Sequence, residues 1–397
     1  MFRKLLLAAT VATPVYADPD VTKWDDVLAE AMGQTIYFHA WGGSADANDF
    51  IAWAGEQVSD RYGVTVEHVK LTDTADAVSR VVAEKAAGQN EGGAVDMIWI
   101  NGANFASMKE QGLLFGPWAE NLPNWSLTDP ASNAALTADF TVPTEGYEAP
   151  WAMAQVVFWY DTAQVDGPPR SISALAEWAT ENPGRFTYPQ PPDFLGTTFL
   201  KQALYELAPD PSALSEPVGS NYEEVTAPLW AFLDGLTPNL WRSGRAYPAT
   251  GEAVKPLMSD GEVELAISFS PGAASAAIAG GELPDTIRTY VMDGGTIGNA
   301  SFLAIPYNAN AKAGAMVLAD FLMSPEAQLR MQDPEHLGWG TVLSMRKLSP
   351  EEREAFEDLE LGIATLSPEE LGLALPEPHP SWMSKVAEDW GKRYGTN

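Results

Sequence analysis

The segment Ala94–Trp118, AVDMIWINGANFASMKEQGLLFGPW, carries an apolar strand into an Asn-Gly stop and then directly into a helical pattern. Met97, Ile98, Trp99 and Ile100 form the short continuous apolar run of a strand covered on both faces. Asn101-Gly102 halts it, Asn104 is placed to cap the helix that follows, Phe105 and Met108 share the inner face, and Gly112 ends the helix. In open α/β sheets ligands lie outside the carboxyl ends of such strands, which makes Asn101 a first candidate for ligand contact.

The same unit occurs twice upstream. Thr35–Ala40 runs into Trp41-Gly42-Gly43 and a helix that Ser44 or Asp46 can cap, with Phe50, Ile51, Ala54 and Val58 on one face and Gly63 at its end. Val64–Leu71 turns at Thr72-Asp73-Thr74 into a helix with Val78, Val81 and Val82 inward and Gly88 at its end. Strand, turn and helix three times over predict a parallel sheet with helices packed on it. Right-handed crossovers place all three turns on one edge. Trp41, Gly42, Asp73 and Asn101 then offer an aromatic face, bare backbone and side-chain polar groups to a small polar ligand. Each also has a local role to play, as cap, turn glycine or packing residue.

Beyond Pro150 the pattern changes. The strand-like run Trp151–Tyr160 reads as a crossing into a second domain. There Asn182–Pro189 is a turn followed by a short strand, and Gln190-Pro-Pro-Asp193 precedes a helix opening at Gly196-Thr197-Thr198. Backbone amides at that opening can hold an anion or a carbonyl, with capping by Thr197 or Thr198 as the ordinary alternative. Val263–Ile267 enters Ser268-Phe269-Ser270-Pro271-Gly272 and an alanine-rich helix, repeating the edge logic. A return crossing at Ile287–Val291 and Asp293–Asn299 leads to Phe302–Pro306 and a helix through Phe321 and Leu322, so Asn299 lies where two domains meet. Ser349-Pro-Glu-Glu and Ser367-Pro-Glu-Glu open helical pieces in the tail.

Composition narrows the class. At 397 residues and 46% hydrophobic content the chain is long enough for two cored domains. A formal charge of −31 argues against nucleic acid, which needs Lys and Arg against its phosphates. With no cysteine there is no disulfide, thiol catalysis, cysteine metal site or lipid anchor on cysteine. His39, His68, His336 and His379 are not spaced as a paired metal site, and no cofactor or phosphate-loop motif occurs. Arg3 and Lys4 precede the apolar run Leu5–Val11, and Val15-Tyr16-Ala17 supplies small residues, the pattern of a secretory signal peptide over residues 1–17 cleaved between Ala17 and Asp18. That run is far below the ~20 residues that span a bilayer, so the expected product is a free periplasmic protein. An exported enzyme such as a glycoside hydrolase with paired carboxylates is the rival reading, but 54 acidic residues supply such pairs by chance.

The order of parts, with Asn182–Pro189, Asn299–Pro306 and Phe321-Leu-Met-Ser-Pro-Glu-Ala-Gln328, resembles the extracellular solute-binding proteins of ABC transporters. Trp41-Gly-Gly43, Tyr62-Gly-Val64, Glu67-His-Val-Lys-Leu71, Ile98-Trp-Ile-Asn-Gly102 and Leu114-Phe-Gly-Pro-Trp118 are similar to the YnjB-like branch. The resemblance implies an α/β, two-lobed periplasmic binding protein-like fold of type II, each lobe a sheet flanked by helices, joined by crossing hinge strands. It implies a non-enzymatic protein without cofactor, which holds a small-molecule solute in the interlobe cleft and docks on an inner-membrane permease, and nothing in the sequence demands more than a monomer. On this basis lobe 1 is 18–152 with 292–335, and lobe 2 is 153–291 with 336–397 including the C-terminal helices. The adjacent tyrosines that hold ferric iron in relatives have no counterpart, since no Tyr-Tyr pair exists here. A thiamine-like or other cationic organic solute needs aromatic faces and a carboxylate, which Trp41, Trp151, Trp159, Tyr160, Asp73 and Asp193 offer. The ligand-binding candidates are therefore Trp41, Gly42, Asp73, Asn101, Trp151, Gln155, Tyr160, Asp193, Thr197, Ser268, Ser270 and Asn299.

Overall fold

A computed structural model describes residues 18–372 and 374–395. The signal peptide expected over residues 1–17 lies outside the described residues. The three upstream units form as their periodicity dictates. Strands β1 (Thr35–Trp41), β2 (Thr65–Leu71) and β3 (Met97–Ile100) are parallel, with Thr35 opposite Thr65, Trp41 opposite Leu71 and Phe38 opposite Met97. A hairpin of two short strands, β4 (Ala138–Asp139) and β5 (Val142–Pro143), precedes the crossing. Strand β6 (Glu148–Gln155) stays in the first sheet and β7 (Val157–Asp161) enters the second, with Val156 between them. There β8 (Leu265–Ser268) and β9 (Ile287–Tyr290) flank β7 antiparallel. Strand β10 (Thr296–Ala304) returns, antiparallel to both β3 and β6, and β11 (Ala374–Leu375) lies parallel to its first residues. The first sheet has the order β11-β10-β3-β1-β2 with β6 on the other side of β10, and the second is β8-β7-β9.

Alternation along the strands assigns the two faces of the first sheet. Ile36, Phe38 and Ala40 are buried under the helices Ala45–Tyr62 and Lys312–Leu322, against Phe50, Ile51, Ala54 and Val58. Ile98 and Ile100 face the helices Thr74–Ala86 and Ala103–Glu110, against Val78, Val81, Phe105 and Met108. Gly63 ends the first of these helices at φ 67, a left-handed conformation that glycine adopts without penalty. The second lobe gathers Phe158, Phe186, Tyr188, Phe199, Leu229, Trp382 and Trp390 into a core of its own. Burial of such aromatic side chains removes on the order of 150–250 Å² each from water and dominates the stability of the lobe.

Two readings are corrected. Gly102 occupies the cap position and the helix begins at Ala103, which leaves Asn104 inside the first turn. Within the C-terminal stretch, Val342, Leu343, Leu348 and Phe356 pack with Leu136, Ala300 and Phe302 on the first sheet rather than with the second lobe. The helix Pro350–Glu357 buries only Phe356, and β10 supplies the apolar partner it lacks. Trp382, Val386 and Trp390 then return to the second-lobe core, so the tail crosses between lobes once more.

Candidate functional site

Because β1, β2 and β3 are parallel, their carboxyl ends at Trp41, Leu71 and Ile100 share one edge. Four tryptophans meet there. The Trp99 ring lies 5.1 Å from Trp151 at 89°, 5.4 Å from Trp339 and 6.4 Å from Trp41. Trp151 is the fully buried base, touching Phe50, whereas Trp41, Trp99 and Trp339 are only half-buried and form an aromatic wall. Trp339 comes from the far end of the chain and is held by Gly340, whose backbone exchanges hydrogen bonds with Met153 of β6 at 2.7 and 3.1 Å. Gly43 lets the chain pass close by: a Cβ there would lie 2.4 Å from the Trp41 ring.

The second lobe brings its own turn to this wall. The Ser268 hydroxyl accepts the Ser270 N–H at 3.2 Å, and the Ser270 hydroxyl donates to the Gly338 carbonyl at 3.1 Å. A Cβ on Gly272 would come within 2.2 Å of that carbonyl, so the turn after β8 is pressed against the segment carrying Trp339. Phe269, in the same turn, meets the partly exposed Phe194 edge to face at 5.2 Å.

Asn101 sits at the end of β3 and is held from below. Its Nδ2 donates to the Ala300 carbonyl at 2.8 Å and to Asp139 Oδ1 at 3.2 Å, while Asp139 Oδ2 accepts the Gly102 N–H at 2.7 Å. Phe140 covers Gly102, with ring atoms 3.3 Å from where a Cβ would stand. Behind this turn lies a buried polar cluster. Lys201 donates to Glu377 at 2.6 Å, both fully buried, and Glu377 accepts from Asn299 at 3.0 Å. Burial pushes Glu377 up and Lys201 down, and their mutual contact opposes both shifts. Burial raises the Asp139 carboxyl to about 8; its bonds from Gly102 and Asn101 act against this and the nearby Glu377 adds to it. Glu148, fully buried with neither carboxyl oxygen hydrogen-bonded among the described residues, is raised well above the usual range by burial and by Asp139.

These two acids give the protein a pH signature. An unfolded Asp or Glu releases its proton near pH ~4. The folded protein holds both protons further, in the case of Asp139 to about pH 8. Their stabilising contribution is full below the unfolded values and is lost as pH rises through the folded ones, because the folded state binds more protons in that window. The urea midpoint is expected to fall between pH 5 and pH 9, and Glu148→Gln is expected to reduce that fall. An undiminished fall in the variant would show that Glu148 is not held neutral.

The remaining sequence candidates are distributed differently. Gly42 is engaged at both backbone groups, its N–H donating to Leu71 and its carbonyl accepting from Asn48. Asp73 is an exposed helix cap accepting from Ala75, not part of the wall. Gln155 of β6 donates to Thr296 of β10, joining the crossing strands, and to the Leu371 carbonyl, while Asn299 donates to Glu377, so both hold the crossing to the C-terminal segment. Tyr160 is a misplacement: β7 runs away from the crossing, so Val157 lies opposite Ser268 while Tyr160 lies opposite Leu265 at the remote end, against Tyr290. Asp193, not Thr197 or Thr198, caps the helix Phe194–Leu207, accepting from Leu195 and Gly196. Its carboxylate already fills the helix start, which is therefore not open to an anion, and Thr197 is buried inside the first turn. Trp99, Trp339, Asp139 and Phe140 also stand at this edge and are not among the sequence candidates. Among the described residues no group of His, Cys, Asp or Glu is arranged to hold a metal ion, and no helix is long and apolar enough to cross a membrane. A separate recess of about 280 Å³, lined by Arg170, Met292, Asp293, Gly295 and Glu370, lies at the return crossing, where the chain passes from the end of β9 to the start of β10.

The sequence matches the family described as bacterial extracellular solute-binding protein over residues 55–345. The chain belongs to that family. Protein YnjB of Escherichia coli (strain K12) is 42% identical over 375 residues, which is 94% of each chain, and places this solute-binding protein in the YnjB-like branch of the ABC transporter proteins. Solved structures share the two-lobed fold at low identity. The periplasmic binding protein AfuA of Actinobacillus pleuropneumoniae, with exogenous fructose-6-phosphate bound, superposes with a TM-score of 0.64 at 14% identity, covering 91% of this chain and 98% of that one. The TpPotD lipoprotein of Treponema pallidum gives 0.65 at 13%, covering 91% and 99%, and a ferric binding protein from Campylobacter jejuni gives 0.62 at 14%, covering 90% and 98%. These likenesses describe the fold of this solute-binding protein and leave its cargo open.

Proposed function

We propose that this protein captures a small organic solute against the Trp41, Trp99 and Trp339 wall, between its two lobes, and delivers it to the permease of an ABC importer. It works as a monomer in the periplasm after removal of the signal peptide at Ala17/Asp18, and it performs no chemistry on its cargo. The observation that carries this reading is the partly buried aromatic wall at the carboxyl ends of β1 and β3, with the Ser268–Gly272 turn of the other lobe bonded to Gly338 beside Trp339. Solute contacts made by both lobes at once favour the closed arrangement, and the permease reads that closure. The solute class we favour is a cationic organic molecule, thiamine-like in combining a flat ring with a positive charge, because aromatic faces attract cations.

A thermal-shift screen of periplasmic solutes, followed by mass spectrometry of whatever co-purifies, tests the reading. A true solute at a hundred times its Kd is expected to stabilise the protein by ~2.7 kcal/mol and to be recovered unaltered. Recovery of a chemically changed compound would support an exported enzyme instead.

A further inference from the structure

The neighbours of Asn101 fix which way its amide faces. The Ala300 carbonyl can only accept, so the Asn101 atom 2.8 Å from it is the nitrogen. The second amide hydrogen goes to Asp139. Both donors are used, and Asn101 Oδ1 has no partner among the described residues and is not enclosed. The other lobe shows the same economy. Asp193 Oδ1 takes both the Leu195 and the Gly196 N–H, leaving Oδ2 without a partner among the described residues and likewise open. Lys201 links the two places: its ammonium lies 4.4 Å from the Phe140 ring, which covers Gly102, and 5.2 Å from the ring of Phe194, next to Asp193. That ammonium is itself occupied by Glu377.

Resting on the solute-binding reading above, we propose that Asn101 Oδ1 and Asp193 Oδ2, one from each lobe, select an N–H-bearing cationic end of the solute, with Asp139 as the positioning residue that holds the Asn101 amide. A cation with N–H donors satisfies both oxygens, and does so only when the lobes are together. A cation without donors keeps its attraction to the tryptophan faces but leaves both oxygens unbonded. An anion meets a carboxylate.

Three probes that share one ring separate these cases: phenethylammonium, its N,N,N-trimethyl derivative, and phenylacetate, each titrated into the full protein with tryptophan fluorescence as readout. Phenethylammonium is expected to bind about tenfold or more tightly than the trimethyl form, the worth of one charge-assisted hydrogen bond, with phenylacetate weakest. Asn101→Ser, which avoids introducing bulk at the turn, and Asp193→Asn, which keeps the helix cap, should each bring the ratio of the two cations toward one. The inference is overturned if phenylacetate binds as tightly as phenethylammonium, or if both variants keep the wild-type ratio. Binding of all three without discrimination removes the inference and leaves the tryptophan wall standing. No fluorescence response to any of them contradicts the wall itself, and the inference with it.

Discussion

Lys201→Met is expected to destabilise the protein by about 3–5 kcal/mol, the usual cost of removing one partner from a buried ion pair. The Lys201–Glu377 contact is 2.6 Å with both side chains almost completely buried, and the only other polar partner of that carboxyl is Asn299 among the described residues. Without the ammonium, Glu377 must keep a proton or remain as an uncompensated charge beside Asp139. Urea unfolding of the variant measures the loss. Pairing Lys201→Met with Glu377→Leu should recover most of it, because an apolar pair of similar volume avoids the desolvation penalty. A single-variant loss below about 1 kcal/mol would place the pair in contact with water.

Trp99→Ala carries the largest expected effect on binding, on the order of thirtyfold in Kd, as for a central aromatic contact worth about 2 kcal/mol. Trp99 touches Trp41, Trp151 and Trp339, so its removal takes away one face of the wall and frees two others. Trp41→Ala removes a single contact at 6.4 Å and should cost less. Calorimetric titration with the solute found by thermal shift provides the comparison, with Trp99→Phe as the variant that keeps an aromatic ring. Equal affinities for Trp99→Ala and the unmodified protein would move the solute elsewhere.

The sheet edge was legible because three apolar or alternating strand segments each end in a polar or glycine turn and run straight into a helix with a 3.6-residue apolar period. The contents of the site were less so, for specific reasons. Trp99 reads as core because Met97–Ile100 is uniformly apolar, and only the pairing of β1 with β3 shows that its ring stands at the end of the sheet. Trp339 reaches the wall through a backbone bridge to Met153, a contact between distant segments that no local pattern announces. Asp139 ends a strand of two residues, too short to show alternation, and Phe140 stands in the turn after it at a φ of 47. Tyr160 was misplaced because strand direction in the second sheet, antiparallel to β8, puts its end away from the cleft. Thr197 was displaced by a cap one turn earlier, since Asp193 competes for the same N–H groups.

The central claim is that solute binds at the tryptophan wall between the lobes, and a crystal structure of the protein with its most stabilising solute tests it most directly. The account predicts solute density against the rings of Trp99 and Trp339, with polar contacts from Asn101 on one lobe and from Asp193 on the other. Solute bound instead in the recess formed by Arg170, Asp293 and Glu370, with the wall unoccupied, would contradict it.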